Sequence, residues 1–133
     1  MRRTILMLEH DDDDRYITQA VLDETKADVS ISFVSNSTEF LQKLEATNKP
    51  DLLLMTYRAS PLNAIEVLKR VKGAAHLKSI PAVVLSGLSN PAIVLECYEA
   101  GASSVIIKPS SERDTTEKIT TFLKYWFKTV ELP

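Results

Sequence analysis

The chain is poor in three things that would have narrowed its function at once: cysteine, an excess of one charge, and long apolar runs. Its single cysteine, Cys97, cannot close an internal disulfide, which excludes the stapled scaffold of a small secreted domain. Lying in the apolar-periodic segment VLECYEA, Cys97 is expected to be a buried reduced thiol, as suits a reducing cytoplasm. The 16 basic and 18 acidic residues are interspersed and leave a net charge of −2. No basic face is available for nucleic acid and no polybasic stretch for a membrane surface. Arg2 and Arg3 precede apolar residues as in an export signal, yet that run stops at Leu8 in an acidic block, too short for a signal or a membrane span. The expected location is the cytoplasm, and the expected partners are proteins or small molecules. No low-complexity tract, linker or repeat interrupts the chain.

What is present suits one compact domain. The 133 residues, 44% hydrophobic and 26% charged, have room for a single core over residues 1–133. Short runs rich in Ile, Val and Leu recur as TILML from Thr4, VSISFV from Val29, DLLLM from Asp51, AVVLS from Ala82 and SVIIK from Ser104. They read as five strands. Between them the apolar spacing predicts helices over 12–26, 37–47, 61–72 and 90–99, with a longer one at about 111–129. Ser60-Pro61 and Asn90-Pro91 each offer a capping side chain followed by proline at the first helical position, and Ser37 offers a hydroxyl before Thr38-Glu39-Phe40. Several strand runs have no polar alternate face, the pattern of strands buried on both sides, so a parallel sheet with helices on each face is expected.

In such a sheet, function gathers beyond the carboxyl ends of the strands where the winding reverses. Those ends carry Glu9 and His10, Thr56, Ser86 and Lys108. The stretch EHDDDD at 9–14 surrounds one imidazole with carboxylates. Asp11 to Asp14 begin the first helix, where acids meet the positive end of the helix dipole and can cap free amides, with the rest a solvated face. Partner contact and soft-metal binding through His10 and Asp11 are the other readings. His76, in HLKSIP, reads as a surface loop residue.

Together, ILMLEHDDDDRYI, PDLLLMTYRASPLNAIEVLKRVK, IPAVVLSGLSN and EAGASSVIIKPS, in this order and spacing, resemble the receiver domain of two-component response regulators along essentially the whole chain. The ending KYWFKTVELP is similar to that of the small stand-alone regulators paired with bacterial phytochromes. The resemblance implies a doubly wound, flavodoxin-like fold of five parallel strands in the order 2-1-3-4-5. It also implies a place in phosphorelay signalling opposite a sensor kinase or other signalling protein, in a chain that is not itself an enzyme. In that family two acids after the first strand and an aspartate after the third hold magnesium. The aspartate accepts the phosphoryl group, a fifth-strand lysine contacts it, and a fourth-strand hydroxyl moves with a fifth-strand aromatic.

Here Glu9, Ser86 and Lys108 match, whereas His10 replaces the second acid, Thr56 the phosphoacceptor and Val105 the aromatic switch. The loop after the third strand also departs, with its proline at Pro61 and Ala64 in place of a glycine. Magnesium wants several hard oxygen ligands, so its affinity is expected to be weak or absent and no cofactor is expected. The expected function is an atypical receiver acting by protein contact without aspartyl phosphorylation. The alternatives are phosphoryl acceptance with unusual chemistry at Thr56, or small-molecule sensing in the vacated acidic pocket. Lys108 is expected to pair with Glu9 rather than act as a catalyst. At the carboxyl end, Ile119, Phe122, Leu123 and Trp126 share a helix face suited to docking on the sheet. Tyr125, Phe127, Val130 and Leu132 then form an expected interaction surface for a homodimer or a partner protein.

Overall fold

A computed structural model describes residues 2–25, 28–46 and 48–133 of the chain. Its elements are β1 (Arg3–Leu8), α1 (Asp12–Thr25), β2 (Val29–Val34), α2 (Ser37–Leu44), β3 (Leu52–Thr56), α3 (Ala64–Gly73), β4 (Ala82–Ser86), α4 (Pro91–Glu99), β5 (Ser104–Ile107) and α5 (Glu112–Lys124). A π-helical turn, Tyr125–Thr129, follows α5. The strands form one parallel sheet in the order β2-β1-β3-β4-β5. The last positions of the helices expected over 12–26 and 37–47 lie outside the described residues. No helix among those described is long and apolar enough to cross a membrane.

The two-residue period of the strands builds two cores. Ile5, Met7, Leu52, Leu54, Val83 and Leu85 point to one face, where Val21 and Leu22 of α1 and Ile119, Phe122 and Leu123 of α5 cover them. Leu6, Leu8, Leu53, Met55 and Val84 point to the other, against Phe40 of α2 and Val67 and Leu68 of α3. β3 and β4 are buried along their whole length, which explains why their sequences show no polar alternation. Cys97 lies wholly buried in the second core, and that burial, with Glu96 nearby, pushes its thiol pKa up.

One helix start and one helix cap differ from the sequence reading. α3 begins at Ala64, not Pro61, because Asn63 accepts a hydrogen bond from the Glu66 amide while the Glu66 carboxylate accepts from the Asn63 amide. This reciprocal box satisfies two otherwise free donors, which Ser60-Pro61 cannot do. α2 is capped by Asn36, one residue before Ser37; the buried Ser37 hydroxyl instead accepts from the Leu62 amide at 2.8 Å. α4 and α5 start as the sequence suggests, capped by Asn90 and Ser111. His76 is exposed and meets Glu45 at 3.1 Å.

Candidate functional site

The ends of β1, β3, β4 and β5 converge on a cleft of about 550 Å³. Glu9, His10, Thr56 and Lys108 all line it, as their places at the carboxyl ends of the strands require. Ser86 does not. Its hydroxyl accepts from the Leu88 amide at 3.0 Å and donates to the Leu88 carbonyl at 3.1 Å, so it closes the turn after β4. Thr56 is 9% exposed at the end of β3, and the His10 side chain is 59% exposed.

Glu9 is the deepest charged group, at 1% exposure. One of its oxygens, Oε2, accepts from the Asp11 amide at 3.3 Å and lies 3.9 Å from His10 Nδ1. The other, Oε1, is buried with no hydrogen-bond partner. Burial raises the Glu9 pKa above the ordinary carboxylate value, against the opposing pull of Lys108 and the Asp11 amide. The expected pairing of Lys108 with Glu9 is present as a long ion pair, but it is not the main one. Lys108 Nζ stays 3.9 Å from Glu9 Oε1, beyond hydrogen-bond range, and makes its close ion pair with Asp14.

Asp14 is therefore not part of a solvated acidic face. In the first turn of α1, it reaches Lys108 at the end of β5 and is half-buried, while Asp12 and Asp13 remain exposed. Asp11 does cap the helix, accepting from the Asp14 amide at 2.9 Å. Arg15, which the sequence reading passes over, ties the site together. It donates to the Glu9 carbonyl at 2.6 Å and to the Ser35 hydroxyl at 2.8 Å, and its guanidinium sits 5.4 Å from the centre of the Phe33 ring. No short motif announces such a residue, since its partners come from β1 and β2. Among the described residues, no three His, Cys, Asp or Glu side chains are grouped to hold a metal ion.

At the outer edge of the sheet, Val105 is half-buried and its amide donates to the Tyr98 hydroxyl of α4 at 3.2 Å. A larger groove of about 1040 Å³ follows β5 towards Phe122, Tyr125 and Trp126. Of the expected interaction residues, Tyr125 is 49% exposed, and Val130 and Leu132 are half-buried. Phe127 packs with Trp126 against the α1–α5 core.

Comparison with known proteins agrees with this geometry. The model of the response regulator receiver domain matches residues 5–120. The response regulator Rcp1 of Synechocystis is 27% identical over 137 residues, spanning 98% of this chain and 93% of its own length. The crystal structure of the manganese-bound form of Rcp1 superposes with a TM-score of 0.93 at 26% identity, over 98% of this chain and 99% of that one. The phosphorylated cyanobacterial phytochrome response regulator RcpA shares the fold with a TM-score of 0.94 at 23% identity, over 100% and 99% of the two chains. With the sheet order, the strand-end cleft and the family match in agreement, this chain belongs to the response regulator receiver domain family and is similar over nearly its whole length to Rcp1.

Proposed function

We propose that this receiver domain signals through protein contacts, without aspartyl phosphorylation and without enzymatic activity of its own. The carrying observation is Thr56, which lines the cleft at the end of β3 where the family places a carboxylate. A carboxylate attacks a phosphoryl donor as it stands, whereas a hydroxyl must first lose a proton to a base. The nearby imidazole of His10 is mostly in solvent and the Glu9 carboxylate is buried, so neither is supported as that base. The donor set also suits magnesium poorly. It offers the buried Glu9 carboxylate, a hydroxyl and an imidazole, with Asp11 exposed, Asp14 engaged by Lys108 and the Lys108 ammonium 3.9 Å from Glu9, where a hard divalent ion wants six oxygens. Incubation with acetyl phosphate and magnesium followed by intact-mass measurement is expected to show no added phosphoryl group. A stoichiometric gain mapped to Thr56 would replace this reading with an ester-forming regulator.

The partner on this reading is a sensor kinase, another signalling protein or a second copy. The exposed Tyr125 and the Val130–Pro133 tail support a homodimer contact, now without a large share for Phe127, which the core already covers. Sedimentation is expected to show a dimer at micromolar concentration that truncation after Lys128 shifts to monomer. The size of the cleft favours a second reading, in which a small ligand occupies it.

A further inference from the structure

We infer that the strand-end cleft binds one monovalent organic cation, a guanidinium or primary ammonium head group, against Glu9. The starting point is the Glu9 Oε1 atom, buried in the wall of the cleft with no hydrogen-bond donor. Buried acceptors are almost always partnered, and an unpartnered one needs a reason. Among the described residues the one ammonium lining the cleft, that of Lys108, makes only a long ion pair with Glu9 at 3.9 Å and is engaged closely by Asp14. The carboxylate is thus left with the Asp11 amide as its one donor.

The charges select a cation of a certain kind. Glu9, Asp11 and Asp14 line the cleft together with Lys108 and Arg58, three acids with two bases. One positive charge balances them, a divalent ion overshoots, and an anion worsens the imbalance. Glu9 Oε1 and the Thr56 hydroxyl are acceptors for directional N–H donors. Tyr57 and Leu88, both half-buried, line the same cleft and give an apolar stem and a flat cation a surface to lie on. A bare inorganic ion has no use for that wall. Since Oε1 is closed off from solvent, the head group reaches it by taking the place of the long Lys108 contact, while Lys108 keeps its close pair with Asp14. The chemistry is that of an arginine or lysine side chain on a partner protein, or of a free small cation. The inference rests on the phosphorylation-independent reading, because a phosphoryl group on Thr56 would fill the same space. Intact mass tests that reading and the titration below tests this one.

The experiment follows the backbone amide resonances of Asp11 and Gly87 in the full chain at constant ionic strength set with potassium chloride. The titrants are methylguanidinium, a Gly-Arg-Gly peptide, magnesium and inorganic phosphate. Methylguanidinium and the peptide are expected to saturate in the millimolar range, with magnesium and phosphate at least tenfold weaker; a tighter peptide assigns the cation to a partner's side chain, and equal affinity to a free small molecule. Glu9→Gln is expected to abolish saturation, and Lys108→Met, which removes the competing ammonium, to tighten binding severalfold. Should Glu9→Gln not fold, Asp11→Asn, at an exposed position where asparagine also caps, is expected to weaken binding severalfold. No saturation by either guanidinium, a stronger response to magnesium or phosphate, or unchanged affinity in these variants would overturn the inference.

Discussion

Two carboxylates sit at opposite ends of the neighbouring strands β1 and β3, Asp51 just before β3 and Glu9 just after β1, and are treated in opposite ways. Near the amino end, Asp51 accepts from the Arg3 guanidinium at 3.0 Å and from the Thr4 amide at 2.8 Å, so each oxygen has a donor. At the carboxyl end, Glu9 is more deeply buried, yet one oxygen has none. Local interactions that agree with one another are the mark of stability, and violations of that agreement collect where function is. The amino end of this sheet is a clasp; the carboxyl end is a site.

Breaking the clasp is expected to give the largest effect. Asp51→Ala leaves the Thr4 amide and Arg3 without their acceptor, a loss of about 2 kcal/mol for one charged and one backbone hydrogen bond. Chemical denaturation measures it, and a loss too small to resolve would make the two ends equivalent. Next in size is a change that rebuilds the carboxyl end as a metal site. Thr56→Asp with His10→Asp supplies the missing oxygens, and magnesium at ten times its dissociation constant is then expected to stabilise the double variant by about 1.4 kcal/mol. Thr56→Asp alone is expected to show much less, and the native chain no saturable response. A folded double variant blind to magnesium would mean that the Asp14–Lys108 pair, rather than the missing acids, closes the pocket.

Relieving the unpartnered carboxylate sharpens the contrast. Burial raises the Glu9 pKa in the folded chain, so the folded state keeps its proton to higher pH than the unfolded chain does. Stability therefore falls as pH rises through that interval, which begins near the ordinary glutamate value of about 4.3. Glu9→Gln cannot ionise. It is expected to match the native chain in acid and to exceed it by on the order of 1 kcal/mol on the alkaline side of the interval, the cost of an unsatisfied buried group. Thermal unfolding of both proteins across pH tests this, and a constant difference at every pH would show that Glu9 ionisation is not the source.

Most of the fold could be read from the chain because it rests on local pattern. The runs TILML, DLLLM and AVVLS carry their double burial in their composition, and the strand ends follow from them, which is why Glu9, His10, Thr56 and Lys108 were expected together. The start of α3 was also readable, since Asn63 and Glu66 have capping-box spacing, but the proline beside Ser60 offered a competing signal. What could not be read is pairing over distance. Asp14 and Lys108 are 94 positions apart, and nothing in DDDD distinguishes the one acid that turns inward. Arg15 and the Ser86–Leu88 turn are hidden for the same reason: their roles depend on the partner that the folded backbone brings up.

The smallest expected effect lies at the edge of the sheet. In the family the fourth-strand hydroxyl and the fifth-strand aromatic move together, a two-state element. In this chain Ser86 is bonded in both directions to Leu88, and the ring near β5 comes from α4, where the Tyr98 hydroxyl holds the Val105 amide at 3.2 Å. Lys118 covers the Ile107 carbonyl of the same strand at 2.7 Å. The edge is thus held by two separate side chains and is not linked to Ser86 through a strand-borne ring. Tyr98 is 46% exposed, so water replaces its hydroxyl in Tyr98→Phe, and the cost is expected to be about 0.5 kcal/mol or less. The informative measurement is local. Hydrogen exchange at the Val105 amide is expected to quicken in Tyr98→Phe while that at Leu88 is unchanged, and relaxation dispersion of the native chain is expected to show no shared exchange at Ser86 and Val105. A common exchange process at those two residues, or a response at Leu88 to the loss of the Tyr98 hydroxyl, would show that the strand-end turn and the edge still move as one switch.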